Sequence, residues 1–107
     1  MASPVLYDRL ALIGVGLIGG SIARAARALG IVRTIVATSR SEPTRQRIRE
    51  LGLADEVVDT SAAAVAGADL VIVCVPIGAC GAVAKDIGPH LKPGATVSDV
   101  EIGRAHV

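Results

Sequence analysis

Apolar positions along this chain follow two rhythms in turn. Residues 10–13, L-A-L-I, are apolar without a break, as in a strand buried on both faces. From Ile18 the spacing changes. Ile18, Ile22, Ala25, Ala26 and Leu29 fall on one helical face, with Ser21, Arg24 and Arg27 elsewhere. Gly30 is placed to end that helix. The first strand is therefore expected over residues 9–15 and a second over residues 34–38, T-I-V-A-T. Ser41 is an N-cap, with Pro43 in the first turn of a second helix. On that helix Ile48 and Leu51 are expected to face inward, Arg45, Arg47, Arg49 and Glu50 to face water, and Gly52 to stop it. Residues 56–59 offer a minimal third strand around Val57 and Val58, and Thr60 or Ser61 caps a short Ala-rich helix ending near Gly67. Residues 70–75, L-V-I-V-C-V, are the most apolar strand, and Pro76 terminates it. Ala79, Val83 and Ile87 mark a further helix ended by Pro89; a turn follows at residues 92–94 and a fifth strand at residues 95–100.

Strands alternating with helices predict an α/β fold: a doubly wound parallel sheet of the Rossmann type, strand order 3-2-1-4-5. In such a sheet the ligand crevice lies where the order reverses, at the C-terminal ends of the first and fourth strands. Gly14, Gly16 and Gly19 stand at the first of these ends as G-x-G-x-x-G, between a strand and a helix. Gly14 turns the chain off the strand, Gly16 has no Cβ to keep a pyrophosphate away, and Gly19 lets the helix pack close. The helix N-terminus adds unpaired N–H groups and a partial positive charge. The stretch Gly14, Val15, Gly16, Leu17, Ile18 and Gly19 is thus expected to bind the phosphates of a dinucleotide, and Val75 and Pro76 to line the nicotinamide side.

An acidic residue commonly ends the second strand about 20 residues past the glycines and holds the adenine ribose 2′-OH. Here the sequence reads A-T-S-R, with Ser39 and Arg40 at that place. A carboxylate there would repel a 2′-phosphate. Ser39 can instead donate a hydrogen bond, and Arg40 can pair with phosphate or stack on adenine. The expected cofactor is NAD(P), with NADP favoured over NAD.

Composition narrows the alternatives. At 107 residues the chain is long enough for one domain. With one Tyr and no Phe or Trp, it lacks the aromatic platforms of single-strand nucleic-acid binders. Its net charge of +1 gives no footprint for nucleic acid or an anionic membrane. No apolar run is long enough to span a bilayer, and Met1-Ala-Ser-Pro4 does not open a secretion signal. Cys74 and Cys80, without a His cluster, read as two reduced thiols of a cytoplasmic protein, and no metal site is expected.

Three segments carry a resemblance. L-A-L-I-G-V-G-L-I-G-G-S-I-A-R-A, V-I-V-C-V-P-I-G-A at residues 71–79 and P-H-L-K-P-G-A-T-V-S-D-V at residues 89–100 resemble the N-terminal domain of prephenate and arogenate (cyclohexadienyl) dehydrogenases. The glycine motif is shared with many dehydrogenases; H-L-K-P-G-A running into a strand ending S-D-V is more specific. The resemblance implies oxidative decarboxylation of prephenate or arogenate with NAD or NADP, on the way to tyrosine, in a homodimer. It also implies pyrophosphate binding by Gly14, Gly16 and Gly19. The family continues from S-D-V with G-S-V-K, whose Ser contributes to the active site, then a His-Pro segment with the catalytic His, then a helical dimerisation domain. This chain reads Glu101-Ile-Gly-Arg-Ala-His-Val107 instead, and His106 has no Pro after it. No catalytic residue is assigned, and the chain is expected to be inactive by itself.

The expected organisation is a nucleotide-binding domain over residues 1–100, incomplete at its C-terminal side, with the catalytic helical domain absent. Residues 101–107 are expected to be a non-native tail. The codons ATC GGA AGA GCA CAC GTC TGA, a sequencing-adapter read-through, translate as I-G-R-A-H-V-stop, and Glu101 fits a native G followed by adapter AG. The alternatives are another NAD(P) enzyme with the same front half, such as a β-hydroxyacid dehydrogenase or imine reductase, and a nucleotide-binding module without chemistry.

Overall fold

The structure, a computed structural model, describes residues 7–14, 17–74 and 80–99, with the backbone alone at residues 17–19, 80 and 99. Five strands, β1 (Tyr7–Ile13), β2 (Val32–Thr38), β3 (Glu56–Val58), β4 (Leu70–Val73) and β5 (Thr96–Asp99), form one sheet in the order β3-β2-β1-β4-β5. Every pairing is parallel. Four helices connect the strands: α1 (Leu17–Leu29), α2 (Glu42–Leu51), α3 (Ser61–Val65) and α4 (Cys80–Ile87). The predicted order is the observed one.

The apolar runs of β1 and β2 are continuous because both sheet faces are covered. Side chains alternate across a strand. Leu10 and Leu12 of β1, with Ile35 and Ala37 of β2, pack under Ala23 and Ala26 of α1 and Ile48 of α2. Ala11, Ile13 and Val36 point the other way, with Val71 and Val73, onto α3 and α4 through Ala64, Val65, Val83 and Ile87. The helices end where local chemistry ends them. Ser41 Oγ accepts the Thr44 N–H at the start of α2, and Thr60 Oγ1 accepts the Ala63 N–H at the start of α3. Gly30 and Gly52 close α1 and α2 at φ +67° and +64°, a conformation that favours glycine.

Several boundaries and faces differ from expectation. β1 and β2 each begin two residues early, at Tyr7 and Val32, which pair with each other. β1 ends at Ile13, β3 at Val58 and β4 at Val73. Ala79 and Val100 lie outside the described residues. On α1 the inward residues are Ala23 and Ala26, whereas Ala25 is exposed and Leu29 is 63% exposed. A helix seated close to a sheet presents its small side chains to it; Gly20 too is buried, and a Cβ there would stand 3.6 Å from Leu53 Cδ1. On α2 Ile48 is buried as expected but Leu51, in the last turn, is exposed.

Two aspartates tie the sheet together from its loops. At the N-terminal edge, Asp69 Oδ2 accepts the N–H groups of Asp8 and Arg9 at 2.9 and 3.0 Å, while Oδ1 pairs with Lys92. Asp55 accepts the Ile35 N–H at 2.7 Å and pairs with Arg27 at 2.9 Å. The Lys92 ammonium and the Arg9 N–H hold the Asp69 carboxyl below the usual carboxylate range. For Asp55, burial pushes upward, but the Ile35 N–H and Arg27 together outweigh it and the net shift is down. A carboxyl whose pKa is lower folded than unfolded adds stability above its unfolded pKa, about 4, and loses it as pH falls through the folded value. The urea midpoint, read by circular dichroism, should therefore fall as pH drops below about 4. Asp69→Asn should lower the midpoint at neutral pH and flatten that fall. An unchanged acid profile in the variant would contradict the role given to Asp69.

Candidate functional site

Three strands end level at the C-terminal edge of the sheet. Ile13 is in register with Thr38 of β2 and with Val73 of β4. The Gly14 N–H donates to the Thr38 carbonyl at 2.9 Å, and the Cys74 N–H donates to the Ile13 carbonyl at 2.7 Å. Immediately past that last rung Gly14 takes φ +76°, turning the chain off the sheet. Three residues on, α1 begins, so its N-terminus opens at the same edge. No acidic side chain stands in the first turn of α1. These features fit a dinucleotide pyrophosphate: a positive-φ glycine at the strand end and a thirteen-residue helix without an acidic residue in its first turn. Val15, Gly16, Val75 and Pro76 lie outside the described residues. Leu17, Ile18 and Gly19 form the first turn of α1 by their backbone.

Ser39 and Arg40 lie just past the end of β2, beside the glycine turn, as expected. Ser39 is half-buried. Its Oγ accepts the Ser41 N–H at 3.3 Å, which leaves its hydroxyl hydrogen for a ligand. Arg40 is exposed and has no ion pair among the described residues.

The sequence reading missed a third group here. Arg45, expected in water, has a side chain only 12% exposed. Its Nη1 donates to the Ser39 carbonyl at 2.6 Å, and its Nη2 meets Glu42 Oε2 at 2.5 Å. Its Nε lies 3.5 Å from Asp59 Oδ1, a Coulombic contact without hydrogen-bond geometry. Asp59 follows Val58, which pairs with Thr38, so the ends of β2 and β3 are also level. The Thr38 hydroxyl fastens them by donating to the Val58 carbonyl at 2.6 Å. The available signal was the i,i+3 spacing of Glu42 and Arg45 on one helical face.

Groups for acid–base or nucleophilic chemistry are sparse at this edge. Cys74 is buried at the end of β4, and burial pushes its thiol upward, which disfavours the reactive thiolate. His90 closes the short 3₁₀ turn Gly88–His90 after α4, just before β5. Since β5 runs parallel to β4, His90 stands at the N-terminal edge, across the sheet from the glycine turn. His106 lies outside the described residues. Among the described residues no cluster of His, Cys, Asp and Glu could hold a metal ion, and no helix is long and apolar enough to cross a membrane.

Residues 22–103 match the family model described as prephenate dehydrogenase, nucleotide-binding domain. The chain is 43% identical over 94 residues to the cyclohexadienyl dehydrogenase of Zymomonas mobilis, covering 88% of itself and 32% of that enzyme. It superimposes on prephenate dehydrogenase from A. aeolicus, solved with hydroxyphenyl propionate and NAD+, with TM-score 0.78 and 25% identity. The match covers 86% of this chain and 32% of that one. Arogenate dehydrogenase from Synechocystis gives TM-score 0.78 and 30% identity, with the same shares of the two chains, 86% and 32%. The chain therefore spans about a third of the length of these relatives.

Proposed function

The chain belongs to the family of prephenate dehydrogenase nucleotide-binding domains, and from that premise we propose that it binds NADP in preference to NAD at the C-terminal edge of its sheet. The observation that carries this reading is the level ending of β1, β2 and β4 around Gly14, with the α1 N-terminus opening at that edge. Gly14, Val15, Gly16, Leu17, Ile18 and Gly19 hold the pyrophosphate by backbone N–H groups. Ser39 and Arg40 take the ribose end, where the chain offers a hydroxyl and an unpaired guanidinium in place of a carboxylate. Val75 and Pro76 flank the nicotinamide, consistent with their place one and two residues past Cys74. A protein of the relatives' length would use this domain in the oxidative decarboxylation of prephenate or arogenate, as a homodimer in the cytoplasm. When bound, the nicotinamide supplies the hydride acceptor; this chain's own residues bind and orient it.

Ser39→Asp tests the ribose assignment. The new carboxylate keeps an acceptor for the Ser41 N–H, so the turn should survive. It would accept from both ribose hydroxyls of NADH and repel the 2′-phosphate of NADPH. Fluorescence titration with the two reduced cofactors should move preference toward NADH by about ten- to a hundredfold. A parent chain that already prefers NADH strongly would contradict the reading drawn from the missing acid.

A further inference from the structure

The ribose end is not free of acidic residues. It carries two carboxylates, Glu42 and Asp59, and one guanidinium, that of Arg45, holds both. We propose that Arg45 is a specificity-determining residue of the cofactor site: it masks the carboxylates of Glu42 and Asp59 and so keeps the ribose end open to a 2′-phosphate. The proposal rests on the dinucleotide site described above and adds to it the element that sets the preference.

The geometry gives Arg45 this role rather than that of a phosphate ligand. Its guanidinium spans three segments at the same sheet edge: the Ser39 carbonyl after β2, Glu42 in the first turn of α2, and Asp59 after β3. Its side chain is mostly buried, whereas those of Glu42 and Asp59 are 67% and 79% exposed. The carboxylates thus face water beside the turn, and the cation lies behind them. Counting Arg40, Arg45, Glu42 and Asp59, the charges at this end cancel. Without Arg45 the balance becomes negative. The carboxylate following β3 would then stand next to the carboxyl-free end of β2, since Val58 and Thr38 are in register. An uncompensated carboxylate repels a phosphate dianion and accepts readily from a ribose hydroxyl. Loss of Arg45 should therefore weaken NADPH and spare NADH.

The contact to Ser39 adds a second effect of the same sign. Arg45 fixes the carbonyl of the residue that precedes Arg40, and so limits where the turn carrying Arg40 can go. Glu42 alone could not do this, because it has no donor.

The test uses the 107-residue chain and two cofactors, NADPH and NADH, titrated by nicotinamide fluorescence. Arg45→Met keeps the apolar stem and removes the charge. It is expected to raise the Kd for NADPH about tenfold and to change that for NADH less than about threefold. Adding Asp59→Asn to Arg45→Met should recover part of the NADPH affinity. A purely structural brace would weaken both cofactors equally, with no recovery from Asp59→Asn, and that result overturns the proposal while leaving the dinucleotide site intact. A parent chain that binds neither cofactor overturns the underlying site and this proposal with it. Asp59→Asn alone, at a position whose side chain is mostly exposed, decides the matter if Arg45→Met fails to fold. With Asp59 neutral the charge balance at this end becomes positive, which should tighten NADPH about threefold and leave NADH unchanged. An unaltered ratio of the two Kd values in Asp59→Asn refutes the masking.

Discussion

Gly16→Val is expected to reduce dinucleotide binding at least about a hundredfold while leaving the fold in place. In the G-x-G-x-x-G arrangement the middle glycine is where backbone and pyrophosphate come closest, and a branched side chain there occupies the ligand's volume. Gly16 lies outside the described residues, but its neighbours locate the effect. Gly14 makes the turn at φ +76°, and α1 is seated on the sheet by Ala23 and Ala26. Both are expected to persist in the variant. Circular dichroism and urea midpoints of the variant should match the parent, and titration with NADPH should fail to saturate. Equal affinities in variant and parent would mean that the glycine turn carries no ligand. Loss of binding together with loss of the fold would mean that Gly16 has a packing role instead.

The 107-residue chain by itself is expected to show no oxidation of prephenate or arogenate, even where it binds cofactor. Hydride transfer of this kind needs a base for the hydroxyl proton, anchors for the substrate carboxylates, and a closed pocket that holds the ring against the nicotinamide. Among the described residues no histidine stands at the edge bearing the glycine turn: His90 is at the opposite edge, Cys74 is buried with its thiol pushed upward, and the carboxylates of Glu42 and Asp59 are paired with Arg45 at the ribose end. Loss of a general base alone costs about 10²–10⁴-fold, and loss of positioning costs more. Assays at 340 nm, the usual band of the reduced nicotinamide, with either substrate should stay at background. Turnover of roughly 1–10³ per second would place the catalytic groups within this chain.

The sheet was legible because β1, β2 and β4 contain unbroken apolar runs, and alternating elements leave few topologies to choose from. Caps were legible for a similar reason. Ser41 and Thr60 act through their own side chains on backbone N–H groups three residues on, and Gly30 and Gly52 through their own backbone. The inward face of α1 was legible only in part. Ile22 and Ala26 pack inward as expected, but hydropathy also chose Leu29 and Ala25, which are exposed, and passed over Ala23, a small residue that close seating on the sheet selects. The start of β1 was missed because Tyr7 and Asp8 carry polar groups that the ladder and Asp69 accommodate.

At the site, the glycine turn and the ends of β2 and β4 follow from spacing plus topology. Arg45 does not. One helical turn of sequence places it among solvated arginines, and only the convergence of α2 with the ends of β2 and β3 buries it. The same convergence brings Asp59 to the ribose end, far in sequence from the position where an acid was sought.

The central claim is that the C-terminal edge of this sheet binds a nicotinamide dinucleotide, NADPH more tightly than NADH. Calorimetric titration of both reduced cofactors into the chain tests it most directly. The account predicts saturable one-site binding with Kd values in the range of about 1 μM to 1 mM, as for the substrates of ordinary enzymes, and the lower value for NADPH. Heats that fail to saturate with either cofactor would contradict the site, and a lower Kd for NADH would contradict the roles assigned to Ser39, Arg40 and Arg45.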